Sequence, residues 1–301
     1  MDLYKELCSI TGEKHVLKNE PMSRHTTFRI GGAADYFVMP SDTEEIRQIV
    51  GLCKRNGVPY YVIGNGSNLL VGDKGYRGVI VQVFKNMNEI RVEGETLHVQ
   101  AGALLSKAAA AACEAGLTGL EFASGIPGTL GGAVRMNAGA YGGEMKQVLN
   151  SAVVLTPEGE VLTLSVDEMK MGYRTSIVSK KDYIVLEAAL GLAPGDQVQI
   201  RARMEELKEK RVTRQPLEYG SAGSTFKRPE GYFAGKLIED AGLRGFRLGN
   251  AQVSEKHCGF VINLGGATAR EVMDLMDEVV RRVEETSGVR LEPEVKRIGE
   301  F

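Results

Sequence analysis

The sequence predicts an α+β protein of two or three units, and three observations carry that reading. Residues 40 to 84 mix helical and strand periodicity, while residues 85 to 195 hold several short β-rich runs joined by glycine-rich loops. After them 201-RARMEELKEKR-211 reads as a charged, solvated connecting helix, which marks a boundary. At 301 residues the chain is long for one small core. Two α+β units with a ligand between them, followed by a third unit, are therefore expected.

The elements follow in order. After a short amphipathic start, the polar run from Ser23 to Ile30 closes on Gly31-Gly32 and leads into a strand from Ala33 to Pro40. Thr43 to Asn56 reads as a helix: Ser41 or Asp42 caps it, Glu44 and Glu45 suit its first turn, and Ile46, Ile49, Val50 and Cys53 share one face. Gly57 ends it. The strand Val58 to Ile63 then empties into Gly64-Asn65-Gly66-Ser67-Asn68, followed by Leu69-Leu70-Val71. Val79 to Phe84 and Leu97 to Ala101 are β-rich, and Leu104 to Ala115 is a helix stopped by Gly116. Ala152 to Leu155 and Val161 to Leu164 flank Thr156-Pro157-Glu158-Gly159-Glu160, a hairpin by its turn chemistry, and Tyr183 to Ala189 is another strand. The charged helix spans Gln197 to Arg211. Beyond it, helices are expected from Phe233 to Ala241 and from Thr268 to Ser287, with a strand over Gly259 to Asn263. The chain closes on Leu291-Glu292-Pro293-Glu294-Val295-Lys296-Arg297, where a period-2 strand would set both glutamates on one face.

Composition excludes several classes. Hydrophobic residues make up 43% and charged ones 25%, as in an ordinary globular protein. A formal charge of -2, with no long Lys/Arg block, gives no footprint for nucleic acid. Cys8, Cys53, Cys113 and Cys258 are far apart and form no CxxC pair, so they read as reduced, packed thiols and not as zinc ligands or a disulfide framework. Only His15, His25, His98 and His257 occur, none at metal spacing, and Ser124 does not stand in GxSxG. No apolar run approaches the ~18 residues of a membrane span, and the start carries Asp2, Lys5 and Glu6 without a signal-peptide core. A cytoplasmic protein is expected.

The densest signal is Ser124 to Glu144, in which 7 of 21 residues are Gly, against 37 in the 301-residue chain. Glycine frees the backbone to approach a ligand but costs conformational entropy, so this density implies that main chain faces something. Ile126, Leu130, Ala133, Val134, Met136 and Ala138 interleave the glycines, unlike the polar residues of an exposed linker. Successive N–H groups in such loops hold anions. The turn at Gly64 to Asn68 has the same composition, yet it lacks the third Gly and helix of a Rossmann fingerprint, and neither loop has a P-loop lysine. Two such loops favour a large bound dinucleotide and redox chemistry done by a cofactor. Further polar candidates are Arg174, Ser224 and Glu294. Each has a plain alternative: a surface ion pair for Arg174, a turn or cap hydroxyl for Ser224, a solvated strand face for Glu294.

Six motifs, in order and over nearly the whole chain, resemble the UDP-N-acetylenolpyruvoylglucosamine reductase family. They are Thr26-Thr27-Phe28-Arg29-Ile30-Gly31-Gly32, Gly64-Asn65-Gly66-Ser67-Asn68, and Gly125-Ile126-Pro127-Gly128-Thr129 with Met136-Asn137-Ala138-Gly139-Ala140-Tyr141-Gly142. Tyr173-Arg174-x-Ser176, Ala222-Gly223-Ser224-Thr225-Phe226-Lys227 and Leu291-Glu292-Pro293-Glu294-Val295 complete the set. The direct passage from Ser176 to the strand at Tyr183 resembles the family's shorter form, and Arg135 departs from the aromatic or small residue more usual there. The resemblance implies a two-domain FAD-binding fold of the vanillyl-alcohol-oxidase (PCMH) type plus a C-terminal α+β substrate-binding domain: residues 1–84 and 85–200 for the flavin, 201–292 for the substrate, and 293–301 returning to the first.

It also implies a chemistry. NADPH reduces non-covalent FAD, and the enolpyruvyl ether of a UDP-sugar is then reduced in peptidoglycan precursor synthesis, with no metal, nucleic acid, membrane or protein partner called for. Flavin contacts are expected from Arg29, Gly64, Asn65, Gly66, Ser67, Asn68, Gly125, Ile126, Pro127, Gly128, Thr129, Asn137 and Gly139. Substrate contacts are expected from Tyr173, Arg174, Arg214, Lys227 and Arg228. Arg174 and a protonated Glu294 would stabilise an enolate, and Ser224 would protonate it. A flavin oxidase of the same superfamily, or a non-catalytic nucleotide-sugar-binding protein, would share the glycine loops; the first has no need of the Ser224 and Glu294 motifs, and the second would bind no flavin.

Overall fold

The helix Thr43–Arg55 begins where the Asp42 side chain accepts from the Glu45 amide at 2.9 Å, and it buries Ile46, Ile49, Val50, Leu52 and Cys53. That is the outcome its capping and periodicity predict. The computed structural model describes residues 2–301. Its chain divides into two compact units, each assembled from three segments: one from the segment ending at Leu17 with Tyr36–Asn65 and Gly78–Arg211, the other from Lys18–Asp35, Gly66–Arg77 and Val212–Phe301.

In the first unit the strand Tyr60–Ile63 runs parallel to Tyr76–Gln82, with Tyr60 opposite Val79 and Ile63 opposite Gln82. Leu7, Ile49, Leu52, Cys53, Val79 and Val81 pack as a small core beside it. A separate antiparallel sheet takes the order Val161–Ser165, Leu149–Leu155, Ile184–Gly191, Thr96–Gln100, Ile90–Glu93. Its hairpin closes as the turn chemistry predicts, Thr156 N donating to Glu160 O at 2.8 Å. The larger core lies against this sheet and the helix Leu105–Glu114.

The glycine-rich stretch is not loop throughout. Leu130–Met136 is helical and buries Leu130, Ala133 and Val134, an i, i+3, i+4 set that local glycine content masks. The helix stops at Asn137, whose φ of 44° is left-handed.

In the second unit a four-stranded antiparallel sheet takes the order Gly220–Ser221, Val261–Asn263, Ala251–Val253, Arg247–Leu248. The helix Ala269–Ser287 covers it with Val272, Leu275, Met276 and Val279. Its start is fixed twice, by the Thr268 capping box and by Asp73, whose carboxylate accepts from Ala269 N at 2.7 Å and Arg270 N at 3.0 Å. Near the C-terminus Lys296–Ile298 pairs in parallel with Leu69–Val71. The alternating strand predicted from Leu291 therefore begins only at Lys296, and what precedes it joins the 225–227 segment through one bridge, Phe226 to Pro293. With so little ladder the two glutamates do not share an environment: Glu292 is exposed and Glu294 is 9% exposed.

Among the described residues no helix is long and apolar enough to cross a membrane, and all four cysteines are free thiols.

Candidate functional site

Within the first unit, Gly64 and Asn65 of the first glycine motif meet the second motif. Asn65 Nδ2 donates to the Pro127 carbonyl at 2.7 Å across 62 residues of sequence. A Cβ at Gly64 would overlap Thr129 Oγ1 and stand 3.1 Å from Thr129 Cβ, so glycine is what lets the motifs approach. The second motif is pinned from below. Leu105 N donates to Gly128 O at 3.1 Å, Leu130 N to Ala103 O at 2.9 Å and Gly131 N to Ala101 O at 2.9 Å. Thr129 is 2% exposed, yet its Oγ1 has no hydrogen-bond partner. A buried hydroxyl left unsatisfied costs about 1–3 kcal/mol. These residues fit a dinucleotide: rigid main chain, neutral donors, and one hydroxyl that the protein itself does not satisfy.

Other members of the predicted set have internal duties. Gly66 has φ 62°, and a Cβ there would overlap the His25 carbonyl oxygen, while Thr27 N donates to Gly66 O at 3.3 Å. The run from Thr26 to Gly32 thus braces that turn, and Arg29 within it is exposed at φ 57°. Ser67 is half-buried in the same turn, and the Asn68 amide is turned toward Glu294 O at 3.3 Å. Asn137 is 2% exposed with its side chain committed: Nδ2 donates to Glu144 Oε2 at 2.8 Å and Gly172 O at 3.2 Å, and Oδ1 accepts from Lys146 N at 2.9 Å. What it offers a ligand is main chain. Gly139 lies in a two-residue antiparallel pair with Glu144, where a Cβ would come within 2.7 Å of Gly143 O. Ile126 packs against the core, and Gly125 lies under a side chain absent from the predicted set, Arg211.

Arg211 belongs to the helix Gln197–Arg214, read from sequence as a solvated connector. Its Nε would stand 2.7 Å from a Cβ at Gly125, and its guanidinium carbon lies 5.9 Å from the centre of the Tyr141 ring. Burial pushes the guanidinium pKa down, and Tyr141 opposes that. The sequence carries no signal separating this arginine from its charged neighbours. Arg135, the departure from the family pattern, donates from Nη1 to Val178 O at 3.2 Å and lies 3.6 Å from Asp182.

In the second unit the motifs at 222–227 and 291–295 come together. Lys227 N donates to Glu292 O and Glu294 N to Thr225 O, each at 2.8 Å, on either side of the Phe226 to Pro293 bridge. Thr225 is held from its other side, its N donating to Gly259 O at 2.8 Å and its Oγ1 accepting from Val261 N at 2.9 Å. Ser224, half-buried, therefore stands beside a fully fixed residue that is bonded to Glu294. It caps no helix, since the next one begins at Ala234. Glu292 instead pairs with Lys227 Nζ at 2.8 Å, and that hydrogen bond holds its carboxyl below the usual range. Arg228 stacks 4.0 Å over Phe233, and Arg214 ends its helix exposed.

Arg174 belongs to the first unit. It occupies a tight turn closed by Gly172 N to Thr175 O at 3.0 Å and Thr175 N to Gly172 O at 3.2 Å, with φ 54°. A left-handed non-glycine residue costs of order 1 kcal/mol, and its guanidinium carbon lies 5.5 Å from the ring of the exposed Tyr173. Ser176, wholly buried, caps the next short helix and donates to Arg135 O at 2.8 Å, which fixes the turn.

Comparison with known proteins adds independent findings. Residues 34–165 match a family described as FAD binding domain, and residues 215–298 one described as UDP-N-acetylenolpyruvoylglucosamine reductase, C-terminal domain. The UDP-N-acetylenolpyruvoylglucosamine reductase of Alkaliphilus metalliredigens is 52% identical over 299 residues, 99% of this chain and 98% of its own. That of Agathobacter rectalis is 56% identical over 298 residues, 95% of each chain. The crystal structure of the Thermus caldophilus reductase matches with a TM-score of 0.80 at 35% identity, covering 94% of this chain and 98% of its own. The 4-ethylphenol oxidase from Gulosibacter chungangensis matches with a TM-score of 0.51 at 16% identity over 97% of this chain, a likeness of fold alone.

Proposed function

Since the chain belongs to the UDP-N-acetylenolpyruvoylglucosamine reductase family, we propose that Arg174, Ser224 and Glu294 carry the chemistry of its substrate half-reaction. The protein is an FAD-dependent oxidoreductase that reduces the enolpyruvyl group of a UDP-sugar with NADPH, in peptidoglycan precursor synthesis. Its fold joins a flavin-binding part of the vanillyl-alcohol-oxidase type to a family-specific C-terminal domain. FAD, when bound, supplies the hydride that NADPH has loaded.

The protein's part is to hold charge and move a proton. Reduction at the terminal carbon of the enolpyruvyl group leaves negative charge on its carboxylate side, and a preorganised cation and acid there lower the barrier. Arg174 is the proposed cation and Glu294 the proposed acid. Burial of Glu294 supports that role, because a carboxyl kept from water and set against a second carboxylate favours its protonated form. Ser224 gives its proton to the carbon next to the substrate carboxylate; a hydroxyl is acid enough toward an enolate. The single observation that carries this reading is the pairing of segments 225–227 and 292–294, which sets Ser224, next to the first, and Glu294 on neighbouring stretches.

Gly64, Asn65, Gly66, Ser67 and Asn68, with Gly125 to Thr129, Arg29, Asn137 and Gly139, are proposed to hold FAD; Tyr173, Arg214, Lys227 and Arg228 are proposed to hold the UDP-sugar. The division 1–84, 85–200 and 201–292 stays part of the proposal, with the pairing of Lys296–Ile298 to Leu69–Val71 in support of the C-terminal return. A cytoplasmic location and action without a protein partner complete it.

Stopped-flow spectroscopy tests the assignment. Ser224→Ala should bleach normally with NADPH and then reoxidise slowly with saturating substrate, and Ser224→Cys should recover part of the rate, a thiol being the better acid of similar size. Turnover in heavy water should place deuterium at the carbon next to the carboxylate. Full reoxidation by Ser224→Ala would leave that residue a purely structural part of its segment.

A further inference from the structure

Gln82 ends the strand Tyr76–Gln82 and is 2% exposed, yet no group among the described residues bonds its Oε1. Buried amide oxygens nearly always have a partner, so an orphan calls for one from outside the chain. Its neighbours in the first unit say which. Gln82 lies opposite Ile63 in the parallel ladder, one residue before Gly64, and Val83 N donates to Ile63 O at 3.0 Å. From there the chain reaches the supports of the second glycine motif. Met87 N donates to Val83 O at 3.2 Å and Gly102 N to Met87 O at 2.8 Å, and the carbonyls on either side of Gly102, those of Ala101 and Ala103, accept from Gly131 N and Leu130 N. The strand end that carries Gln82 is therefore built into the footing of both motifs. Val79 and Val81 pack with Ile49, Leu52 and Cys53 of the helix Thr43–Arg55, and strand alternation turns Gln82 to the opposite face.

We propose that Gln82 is a further FAD-binding residue, its Oε1 accepting a hydrogen bond from a hydroxyl or ring N–H of the cofactor. Position supports this first. Ligands of parallel sheets bind outside the carboxyl ends of the strands, and Ile63 and Gln82 are two such ends, side by side. A second orphan supports it independently: Thr129 Oγ1, also buried and unbonded, lies against Gly64, the residue that follows Ile63. Two unsatisfied groups flanking the link from Ile63 to Gly64 are what one extended ligand would satisfy together. The acceptor then sets which part of that ligand is read. An amide oxygen cannot bond the pyrophosphate, which offers acceptors only, so Gln82 meets a different part of FAD from the main-chain N–H groups of the glycine motifs. A carboxylate would accept equally well, but it would bury a charge in a site that also holds the cofactor's anionic phosphates; the neutral amide does not. The inference rests on the reading of Gly64, Asn65 and Gly125 to Thr129 as the flavin cradle.

The test compares wild type, Gln82→Met, Gln82→Leu and Thr129→Val as whole chains, stripped of flavin and titrated with FAD. Methionine keeps the length of glutamine and removes its amide; leucine carries the test if the methionine variant packs badly. Apoprotein melting temperature should hold or rise, because an apolar side chain leaves no buried acceptor unpaired. FAD should bind about tenfold more weakly, the worth of one hydrogen bond, and the rise in melting temperature on adding a fixed FAD concentration should shrink accordingly. Whichever Gln82 variant keeps the apoprotein stable decides the matter. Wild-type FAD affinity in that variant would overturn the proposal, and so would a loss of apoprotein stability in both, since Gln82 would then serve the fold and not the cofactor. Thr129→Val separates this from the reading beneath it. Weakened FAD binding in Thr129→Val beside normal binding in Gln82→Met would overturn the role of Gln82 alone, whereas normal binding in Thr129→Val would remove the cradle and the proposal with it.

Discussion

The glycine cradle around Gly64 and Thr129 and the paired segments around Ser224 and Glu294 are both built from motifs distant in sequence, but they are finished differently. In the cradle the packing is complete and one polar group is not: Thr129 Oγ1 is buried without a partner. In the paired segments every main-chain bond around Thr225 is made, and the side chains on either side are what remains for chemistry. A cofactor site can carry an unsatisfied group because the cofactor is there for most of the protein's life. A site for a passing substrate must stand complete without it, and its reactive groups are held by backbone.

The largest effect should come from the proposed cation and the proposed acid. Glu294→Gln and Arg174→Ala should each slow reoxidation by about 10²-fold or more, the scale of losing one preorganised electrostatic group, with NADPH-driven bleaching near normal. Stopped-flow traces of the two half-reactions separate the effects. Equal damage to both would erase the distinction between the two regions and indicate a folding or flavin-site defect.

Within the cradle two substitutions should part company. Gly66→Ala puts a Cβ against the His25 carbonyl at a left-handed φ, so it should lower the stability of apoprotein and holoprotein alike, by about 1–2 kcal/mol for the conformation alone, read as a fall in both melting temperatures. Thr129→Val is close in shape and removes the unsatisfied hydroxyl. Apoprotein stability should hold or rise while FAD affinity falls about tenfold, the worth of one hydrogen bond. Loss of apoprotein stability in Thr129→Val would mean that the hydroxyl has a role in the fold itself.

This contrast also marks what the sequence discloses. Helix Thr43–Arg55, the hairpin at 156–160 and the helix Ala269–Ser287 are legible because capping, turn chemistry and periodicity are local. The helix Leu130–Met136 is hidden by its own glycines, since composition there reports close approach and not local preference. Arg211 is hidden for another reason: its place over Gly125 depends on where its helix docks, which no local pattern encodes. Ser224 and Glu294 are singled out by their motifs, and the bridge between Phe226 and Pro293 with the main-chain bonds on either side of it brings their segments together.

The smallest effect should be the most discriminating, because Glu292 and Glu294 are the same residue type two positions apart. Glu292 is exposed, paired with Lys227 at 2.8 Å, and its carboxyl is held below its ordinary value near 4.5 by that hydrogen bond and by the charge of the lysine. A carboxyl whose pKa is depressed on folding contributes stability above its unfolded pKa, and that contribution is lost as pH falls through the lower folded value. The pair should therefore count in full above the ordinary glutamate range and fade as the pH falls below it, weakly and less so in salt, since both partners meet water. Glu292→Gln should reoxidise within about twofold of wild type at neutral pH, and its melting temperature should converge on that of wild type as the pH is lowered through the acid range. If Glu292→Gln were instead the variant that stalls in reoxidation while Glu294→Gln did not, the acid would be the exposed carboxylate held by Lys227, and burial would have been the wrong guide to which glutamate meets the substrate.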